Sequence, residues 1–231
     1  MKVEEGSKNK GGKIFIIEHE AKKILAKHGI PVTKEFLANT AEEAVKYAEK
    51  IGYPVVLKIQ SPDIVHKTDA GGVLLNIRNE KEVKEGFETI IKNAKNYKKD
   101  VKIAGVLVQE MVNEGHQCII GSHKDPQFGP VIMFGFGGIF VEVFKDVSFR
   151  IIPIERKDAQ EMISEIKAYA ILKGARGYKP VNFKALEDVL LKVSNMIWKN
   201  QKIEELDINP LFVGPKGVKA ADARIIFGDG V

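Results

Sequence analysis

His66 lies in a polar loop that could carry phosphoryl or proton chemistry, within the segment Ser61–Val73 (SPDIVHKTDAGGV). A histidine in such a loop can act as a base, contact a phosphate, or be a nucleophile that becomes phosphorylated. The two glycines near the end of the segment would let the loop move and close over a ligand. The simpler interpretation is an incidental histidine on the surface, so other residues must decide.

Lys58 interrupts the apolar strand that precedes this loop, over 55–59. A lysine among buried apolar residues costs free energy unless its ammonium group meets an anion or reaches water. Lys58 is therefore a candidate contact for the phosphates of ATP. The alternative is a lysine on an edge strand whose side chain points outward.

Asp207, Asn209 and Asp222 are candidate metal ligands near the end of the chain. Asp207 and Asn209 alternate along one predicted strand, so their side chains share a face, and Asp222 is predicted on the next strand. Their oxygen atoms are ligands that Mg²⁺ accepts beside nucleotide phosphates. The alternative is a turn at a strand end with a solvated aspartate.

Glu110 and Val112 end an apolar strand predicted over 104–112, where a backbone carbonyl and N–H could contact the edge of an adenine. An ordinary strand end is the alternative.

Farther on, the segment 135–138 (GFGG) would let the backbone approach a ligand closely. It is not a Walker A loop, because no Gly-Lys-Ser/Thr follows, and it does not match G-x-G-x-x-G.

The composition narrows the class of protein. The chain has 231 residues, a net charge of +5 and a pI near 9.0, which suits an anionic ligand such as a nucleotide or CoA. Its basic residues are dispersed among acidic ones, so we expect no nucleic-acid partner. The single cysteine, Cys118, excludes an internal disulfide and a cysteine-based zinc site. No apolar stretch approaches the roughly 20 residues of a membrane helix, and we expect a cytoplasmic protein.

Periodicity and capping residues predict a mixed α/β (α+β) fold. Thr40 with Glu43 and Asn79 with Glu82 form the pattern of a capping box at two helix starts. Helices are predicted over 17–28, 40–51, 79–97, 157–168 and 183–200. Strands are predicted over 32–38, 55–59, 73–77, 104–112, 117–122, 131–134, 205–208 and 218–223. The last two strands are joined through Asn209-Pro210 and a turn at 214–217.

Two lobes meeting near Val112 are the predicted domain organisation. Residues 1–12 form a flexible leader, because they are rich in Lys, Glu, Gly and Ser. Residues 13–112 form an N-terminal lobe with the His66 loop. Residues 113–231 form a C-terminal lobe with the metal and phosphate site.

Four segments together resemble the ATP-grasp region of the nucleoside-diphosphate-forming acyl-CoA synthetases. They are SPDIVHKTDAGGV, DPQFGPVIMFGFGGIFVEVFKDVSFR, GARG and LDINPL…ADAR, and the resemblance covers about Glu18 to Phe227. It implies an ATP-grasp fold, in which the nucleotide lies between two lobes. It also implies the reaction acyl-CoA + ADP + phosphate ⇌ acid + CoA + ATP, with ATP/ADP and Mg²⁺ bound.

The resemblance also assigns roles to the residues singled out above. His66 would be transiently phosphorylated, Asp207 would orient an incoming histidine, and Lys58 would contact phosphates. Glu110 and Val112 would meet adenine through their backbones, while Asn209 and Asp222 would hold Mg²⁺. Gln117 departs from the family, where Glu often contacts the nucleotide; glutamine could keep a hydrogen bond, or Glu114 could substitute. Arg150 and the segment 174–177 receive no assigned role.

The resemblance implies a partner, because no CoA-binding domain and no second histidine segment are recognised in the 231 residues. We expect an α subunit that carries both, in an α₂β₂ heterotetramer. Two alternatives stay open. One is a stand-alone ATP-grasp ligase that joins a carboxylate to an amine; the other is a non-catalytic subunit that senses nucleotides.

Overall fold

The computed structural model describes residues 12–64, 66–138, 141, 143–175 and 179–228, together with the backbone of the strand Gly6–Lys8. The chain divides into two compact units. The first comprises Met1–Ser7 and Thr33–Asn113, and the second comprises Lys8–Val32 and Glu114–Val231. Each helix in the described part of the chain is too short or too polar to cross a bilayer.

Strands and helices alternate irregularly, as the sequence predicts for a mixed α/β fold. The strands are β1 (Gly6–Lys8), β2 (Ile14–Ile16), β3 (Glu35–Ala38), β4 (Val55–Gln60), β5 (Val73–Ile77), β6 (Gly105–Glu110), β7 (His116–Asp125), β8 (Gly129–Phe136), β9 (Val147–Ile151), β10 (Ile203–Gly214), β11 (Gly217–Ala220) and β12 (Ala223–Phe227). The helices are α1 (Glu18–Lys27), α2 (Ala41–Ile51), α3 (Glu80–Tyr97), α4 (Arg156–Glu165), α5 (Tyr169–Leu172) and α6 (Phe183–Lys199).

The first unit contains an antiparallel sheet in the order β3-β6-β4-β5, with α2 and α3 packed on one face. Val55, Leu57 and Ile59 of β4 point into this helix-covered core. Because side chains alternate along a strand, Lys58 lies on the opposite face of the sheet.

Side-chain caps begin α2 and α3, as the sequence predicts. The Thr40 hydroxyl accepts a hydrogen bond from Glu43 N at 3.2 Å, and the Glu43 carboxylate accepts from Asn39 N at 2.7 Å. The Asn79 side chain accepts from Glu82 N at 2.9 Å. Local sequence therefore determines where both helices start.

The second unit contains a sheet in the order β2-β12-β10-β7-β8-β9, in which β11 also pairs with β10. Helix α4 packs against β9 and α6, and α1 packs against β12. The central strands β10 and β7 pair antiparallel, with Asp207 opposite Gly121.

Residues 13–32 belong to the second unit, so the prediction that they form part of the N-terminal lobe is wrong. Strand β2 pairs with β12, and Val32 forms a bridge with Ala220. Lys192 Nζ also donates to Gly29 O at 2.7 Å. These are long-range contacts, which hydrophobic periodicity does not reveal. Within the predicted leader, the structure describes the strand Gly6–Lys8, and the rest of 1–11 lies outside the described residues.

Two predictions about the C-terminal strands are wrong. Strand β10 continues through Asn209-Pro210 to Gly214, whereas the sequence predicts that the strand ends at 208. Its pairing with β7 shifts register between Ile208 and Leu211, so the missing N–H of proline falls where the ladder is already irregular. The strand predicted over 218–223 is two strands, and Asp222 lies in the connection between β11 and β12. The helix predicted over 157–168 ends at Glu165, and α5 follows separately.

Candidate functional site

Lys58 lies in the interior of β4, paired with Leu107 of β6 on one side and Val73 of β5 on the other. It is only 7% exposed, so the outward-pointing edge lysine considered above is excluded. A buried ammonium group in mid-sheet is suited to an anion. This position fits the predicted phosphate contact.

Asp63 anchors the start of the His66 loop. Its carboxylate oxygens accept hydrogen bonds from Lys98 Nζ and from Lys102 N, both at 2.8 Å. Its own backbone N–H donates to Ser61 Oγ at 3.1 Å. The Lys98 hydrogen bond, followed by that from Lys102, holds the pKa of Asp63 below its usual value of 3.8.

The end of the loop is anchored at its two glycines. Gly71 has a φ of 59°, a conformation that glycine adopts without strain, and its carbonyl accepts from Asn93 Nδ2 at 2.9 Å. Gly72 packs so tightly that a Cβ there would lie 2.4 Å from Ile59 Cγ2. The Gly72 N–H donates to Lys67 O at 2.8 Å, which closes the loop on itself.

His66 is exposed between these anchors. Ile64 and Ala70 on either side of it are buried in the core of the first unit. The His66 carbonyl accepts from Ala70 N at 3.3 Å, while Val65 lies outside the described residues. The fold therefore holds both ends of the loop and presents the imidazole to solvent, where a phosphoryl donor can reach it.

The backbone N–H of Glu110 is already hydrogen-bonded within the first unit, so it is not the group that would contact adenine. The Glu110 N–H donates to Lys34 O at 2.9 Å, and the Glu110 carboxylate accepts from Lys34 N at 2.6 Å. A backbone contact from Glu110 to adenine must therefore come from its carbonyl oxygen. Val112 follows the end of β6 and is half-buried.

Gln117 lies on β7 with an exposed side chain. Its carbonyl accepts a hydrogen bond from Gly137 N at 2.7 Å, and a Cβ on Gly137 would lie 2.8 Å from the same oxygen. The glycine-rich segment therefore has a structural reason for Gly137, which is the close approach to β7. Glu114, the possible substitute for a family glutamate, pairs with Lys216 at 2.9 Å.

Asp207 and Asn209 lie on β10 in the second unit, and Asp222 lies in the connection between β11 and β12. Their role as metal ligands stays a prediction. The Asn209 N–H donates to Asp222 O at 3.2 Å. Burial raises the pKa of Asp207; Arg224 opposes this rise and Asp222 adds to it. The negative charge of Asp222 thus opposes ionisation of Asp207, and a cation bound to Asp222 would offset this effect.

The chemistry of these side chains fits Mg²⁺. Carboxylate and amide oxygens are hard ligands, and Mg²⁺ is usually bound through one or two carboxylates together with substrate phosphates. A cluster of three or more His, Cys, Asp or Glu that could hold a metal is absent from the described residues. The pair of aspartates with one asparagine therefore suits an ion shared with a nucleotide better than an all-protein metal cage.

Arg150 is engaged by carboxylates of α4. Its guanidinium bonds to Glu165 and, at 3.3 Å, to Glu161. The Glu165 hydrogen bond raises the pKa of Arg150. These contacts argue for a structural role, while Arg176, the other arginine without an assigned role, lies outside the described residues.

Lys22 and Glu18 of α1 form a buried ion pair that sequence reasoning did not single out. The sequence feature that could have revealed this pair is the position of Lys22 beside Ala21 and Leu25, on the apolar face of the helix. Lys22 Nζ also donates to Ala221 O at 3.1 Å, directly before Asp222.

Comparison with known proteins agrees with this geometry. Residues 9–227 match the ATP-grasp domain family. The chain is 54% identical to the β subunit of an ADP-forming acetate–CoA ligase (I) from Pyrococcus furiosus, over 91% of both chains. A structure of acetyl-coenzyme A synthetase 1 from Ca. Korarchaeum cryptofilum, in complex with coenzyme A and Ca-AMPCP, is 49% identical. Its TM-score is 0.90, and the match covers 92% of this chain and 93% of that one.

A second structure of the Ca. Korarchaeum cryptofilum enzyme contains coenzyme A and Mg-AMPPCP, with its phosphohistidine segment pointing towards the nucleotide binding site. It is 47% identical, with a TM-score of 0.82 and coverage of 92% of each chain. The chain therefore belongs to the ATP-grasp family. Within that family it belongs with the β subunits of the ADP-forming acid–CoA ligases.

Proposed function

We propose that this chain binds ADP or ATP with Mg²⁺ and, together with an α subunit, interconverts acyl-CoA + ADP + phosphate and acid + CoA + ATP. The observation that carries the proposal is His66, an exposed imidazole on a loop whose two ends are fixed by Asp63 and Gly71. A histidine presented in this way can accept a phosphoryl group and pass it on.

The phosphoryl group moves in steps that each exchange one bond to phosphorus. Phosphate displaces CoA from the acyl-CoA, which gives an acyl phosphate. A histidine of the α subunit takes the phosphoryl group and releases the acid. His66 then forms a P–N bond as the bond to the α-subunit histidine breaks, and an oxygen of the ADP β-phosphate finally attacks to give ATP and free His66. Dividing the transfer shortens each step.

We propose the following contacts to the nucleotide. Lys58 pairs its buried ammonium group with the phosphates. The Glu110 carbonyl and the Val112 N–H bond to the adenine edge, because the Glu110 N–H is already donated to Lys34. The exposed Gln117 side chain donates a hydrogen bond to the nucleotide.

Asn209 and Asp222 would hold Mg²⁺, which when bound neutralises the charge of the phosphates during transfer. Asp207 accepts a hydrogen bond from the incoming histidine and so sets the orientation of its ring. Burial and, to a lesser extent, the charge of Asp222 raise the pKa of Asp207. A cation held by Asp222 would offset that charge and so would favour the carboxylate form of Asp207.

The partner is an α subunit, as the name of the P. furiosus relative implies. We propose that it supplies the CoA-binding domain and a second phosphorylatable histidine, in a cytoplasmic α₂β₂ heterotetramer. The chain by itself then binds nucleotide and accepts a phosphoryl group from ATP, but does not turn over acyl-CoA.

Phosphate labelling tests the proposal. Incubation of the purified chain with Mg²⁺ and γ-labelled ATP should give a phosphorylated residue that is labile to acid and stable to base. The variant His66→Asn should abolish the label, whereas His123→Asn, which changes another exposed histidine, should keep it. Full labelling and full turnover of His66→Asn in the complex with the α subunit would disprove phosphoryl transfer through His66.

A further inference from the structure

The ion pair of Lys22 and Glu18 lies deep inside the second unit. Both side chains are 1% exposed, and Lys22 Nζ donates to Glu18 Oε1 at 3.0 Å. The neighbouring pair of Lys23 and Glu20 on the same helix is exposed by contrast, at 53% and 37%. A lysine this deeply buried needs its anion, because an unpaired buried charge is strongly unfavourable.

Lys22 does more than neutralise Glu18, because it also donates to Ala221 O at 3.1 Å. The Ala221 carbonyl belongs to the same planar peptide unit as the Asp222 N–H, so fixing the carbonyl fixes the orientation of that unit. On the other side of Asp222, the Asn209 N–H donates to the Asp222 carbonyl at 3.2 Å. Both peptide planes that flank the Asp222 Cα are therefore held.

Backbone hydrogen bonds also hold this segment. Ala221 N donates to Pro210 O at 3.0 Å, and Ala220 N donates to Pro31 O at 2.8 Å. These bonds do not depend on side chains, whereas the bond from Lys22 Nζ to Ala221 O is one that a substitution can remove. A methionine could fill the volume of Lys22, but it could not donate a hydrogen bond to Ala221 O.

We propose that Lys22 is a positioning residue for the metal ligand Asp222, acting through the Ala221 carbonyl, with Glu18 as its counter-ion. The inference rests on the proposed function, in which Asp222 holds Mg²⁺. A buried ion pair contributes little net stability compared with apolar residues of similar volume. The role of the ion pair here is to orient the connection between β11 and β12, which carries Asp222. Groups that orient metal ligands in this way change the affinity for the metal.

Metal binding tests this directly with the double variant Glu18→Leu/Lys22→Met, which removes both charges and keeps the core filled. Mn²⁺ replaces Mg²⁺, and the electron paramagnetic resonance signal of free Mn²⁺ gives its affinity for the full chain in the presence of ADP. The apparent dissociation constant should rise about 10-fold. ADP affinity measured calorimetrically without metal should stay as in the wild type.

Two further variants separate positioning from general disturbance. Lys23→Met removes the adjacent exposed lysine, and Glu20→Leu/Lys23→Met removes the whole exposed ion pair of the same helix. Both should bind Mn²⁺ like the wild type. The inference is overturned if Glu18→Leu/Lys22→Met binds Mn²⁺ with unchanged affinity, if Glu20→Leu/Lys23→Met weakens binding equally, or if Glu18→Leu/Lys22→Met does not fold. If the wild type itself binds ADP without any response to Mn²⁺, the proposed metal site fails first, and the role of Lys22 with it.

Discussion

Replacing Asp63 by alanine should loosen the start of the His66 loop by about 2 kcal/mol, because its carboxylate carries a charge-assisted bond to a backbone N–H. That carboxylate bonds to Lys98 Nζ and to Lys102 N, each at 2.8 Å. Without it, the Lys102 N–H loses its partner and the loop loses its tie to the segment after α3. The second anchor, from Asn93 to Gly71, is unaffected.

The magnitude follows from the two bonds. A hydrogen bond to a charged group contributes about 1.5–3 kcal/mol. The ion pair adds only about 0.2–1 kcal/mol, because such pairs are screened by solvent, and the Lys98 side chain is 48% exposed. Since the Asp63 side chain is itself 23% exposed, the lower part of the range applies. A change of about 2 kcal/mol corresponds to a roughly 30-fold change in the equilibrium of loop opening.

The pH dependence has a definite sign. The pKa of Asp63 in the folded chain lies below its usual value of 3.8, because its hydrogen bonds with Lys98 and Lys102 favour the carboxylate. The stabilisation is therefore complete above pH 3.8 and is lost as the pH falls through the lowered pKa. The wild-type loop should keep its anchor at neutral pH and lose it only in stronger acid.

Hydrogen exchange measures this effect. In Asp63→Ala, the Lys102 amide and the amides of the loop should exchange about 30-fold faster at neutral pH. The amides of α2 should be unchanged. The variant Asp69→Ala removes the same charge from an exposed position of the same loop and should exchange like the wild type. Equal exchange in Asp63→Ala and the wild type would refute the claim that Asp63 anchors the loop.

Three further substitutions test other parts of the structure. Lys58→Met should weaken ATP binding about 10- to 100-fold in calorimetry, since it removes a charged phosphate contact; unchanged affinity would exclude that contact. Arg150→Met should lower the stability in urea unfolding by less than about 1 kcal/mol and leave ATP affinity unchanged, because its carboxylate partners are half-exposed. Gly137→Ala should cost about 1–3 kcal/mol, seen as a lower Tm, since its Cβ would lie 2.8 Å from Gln117 O. Gly214→Ala is the control, because a Cβ there would lie 3.4 Å from its nearest neighbour, Gly115 Cα. This variant should lower Tm much less.

Local features were predictable because their causes lie within a few residues. Thr40 and Asn79 start α2 and α3 through bonds to backbone groups of the next turn, so a short sequence window contains the whole explanation. The apolar run around Lys58 likewise identifies β4, and the register confirms that the lysine sits in mid-sheet.

Long-range pairing was less predictable. The predicted strand ends at 208, before Pro210, but β10 continues to Gly214 because the proline falls at a register shift opposite β7. Residues 13–32 were assigned to the wrong unit because β2 pairs with β12, which is far away in the sequence. The hydrophobic periodicity of a segment reveals neither a register shift within a strand nor the distant strand with which it pairs.

The sequence by itself determined the chemistry: a histidine in a glycine-ended loop, a lysine in an apolar strand, and oxygen ligands near the end of the chain. Tertiary structure decided how these groups can act. It fixed both ends of the His66 loop, removed the Glu110 N–H from the possible adenine contacts, and brought Lys22 of α1 to the carbonyl before Asp222. The physical reason is that residue types follow from local sequence, whereas hydrogen-bond partners depend on which distant segments the sheets bring together.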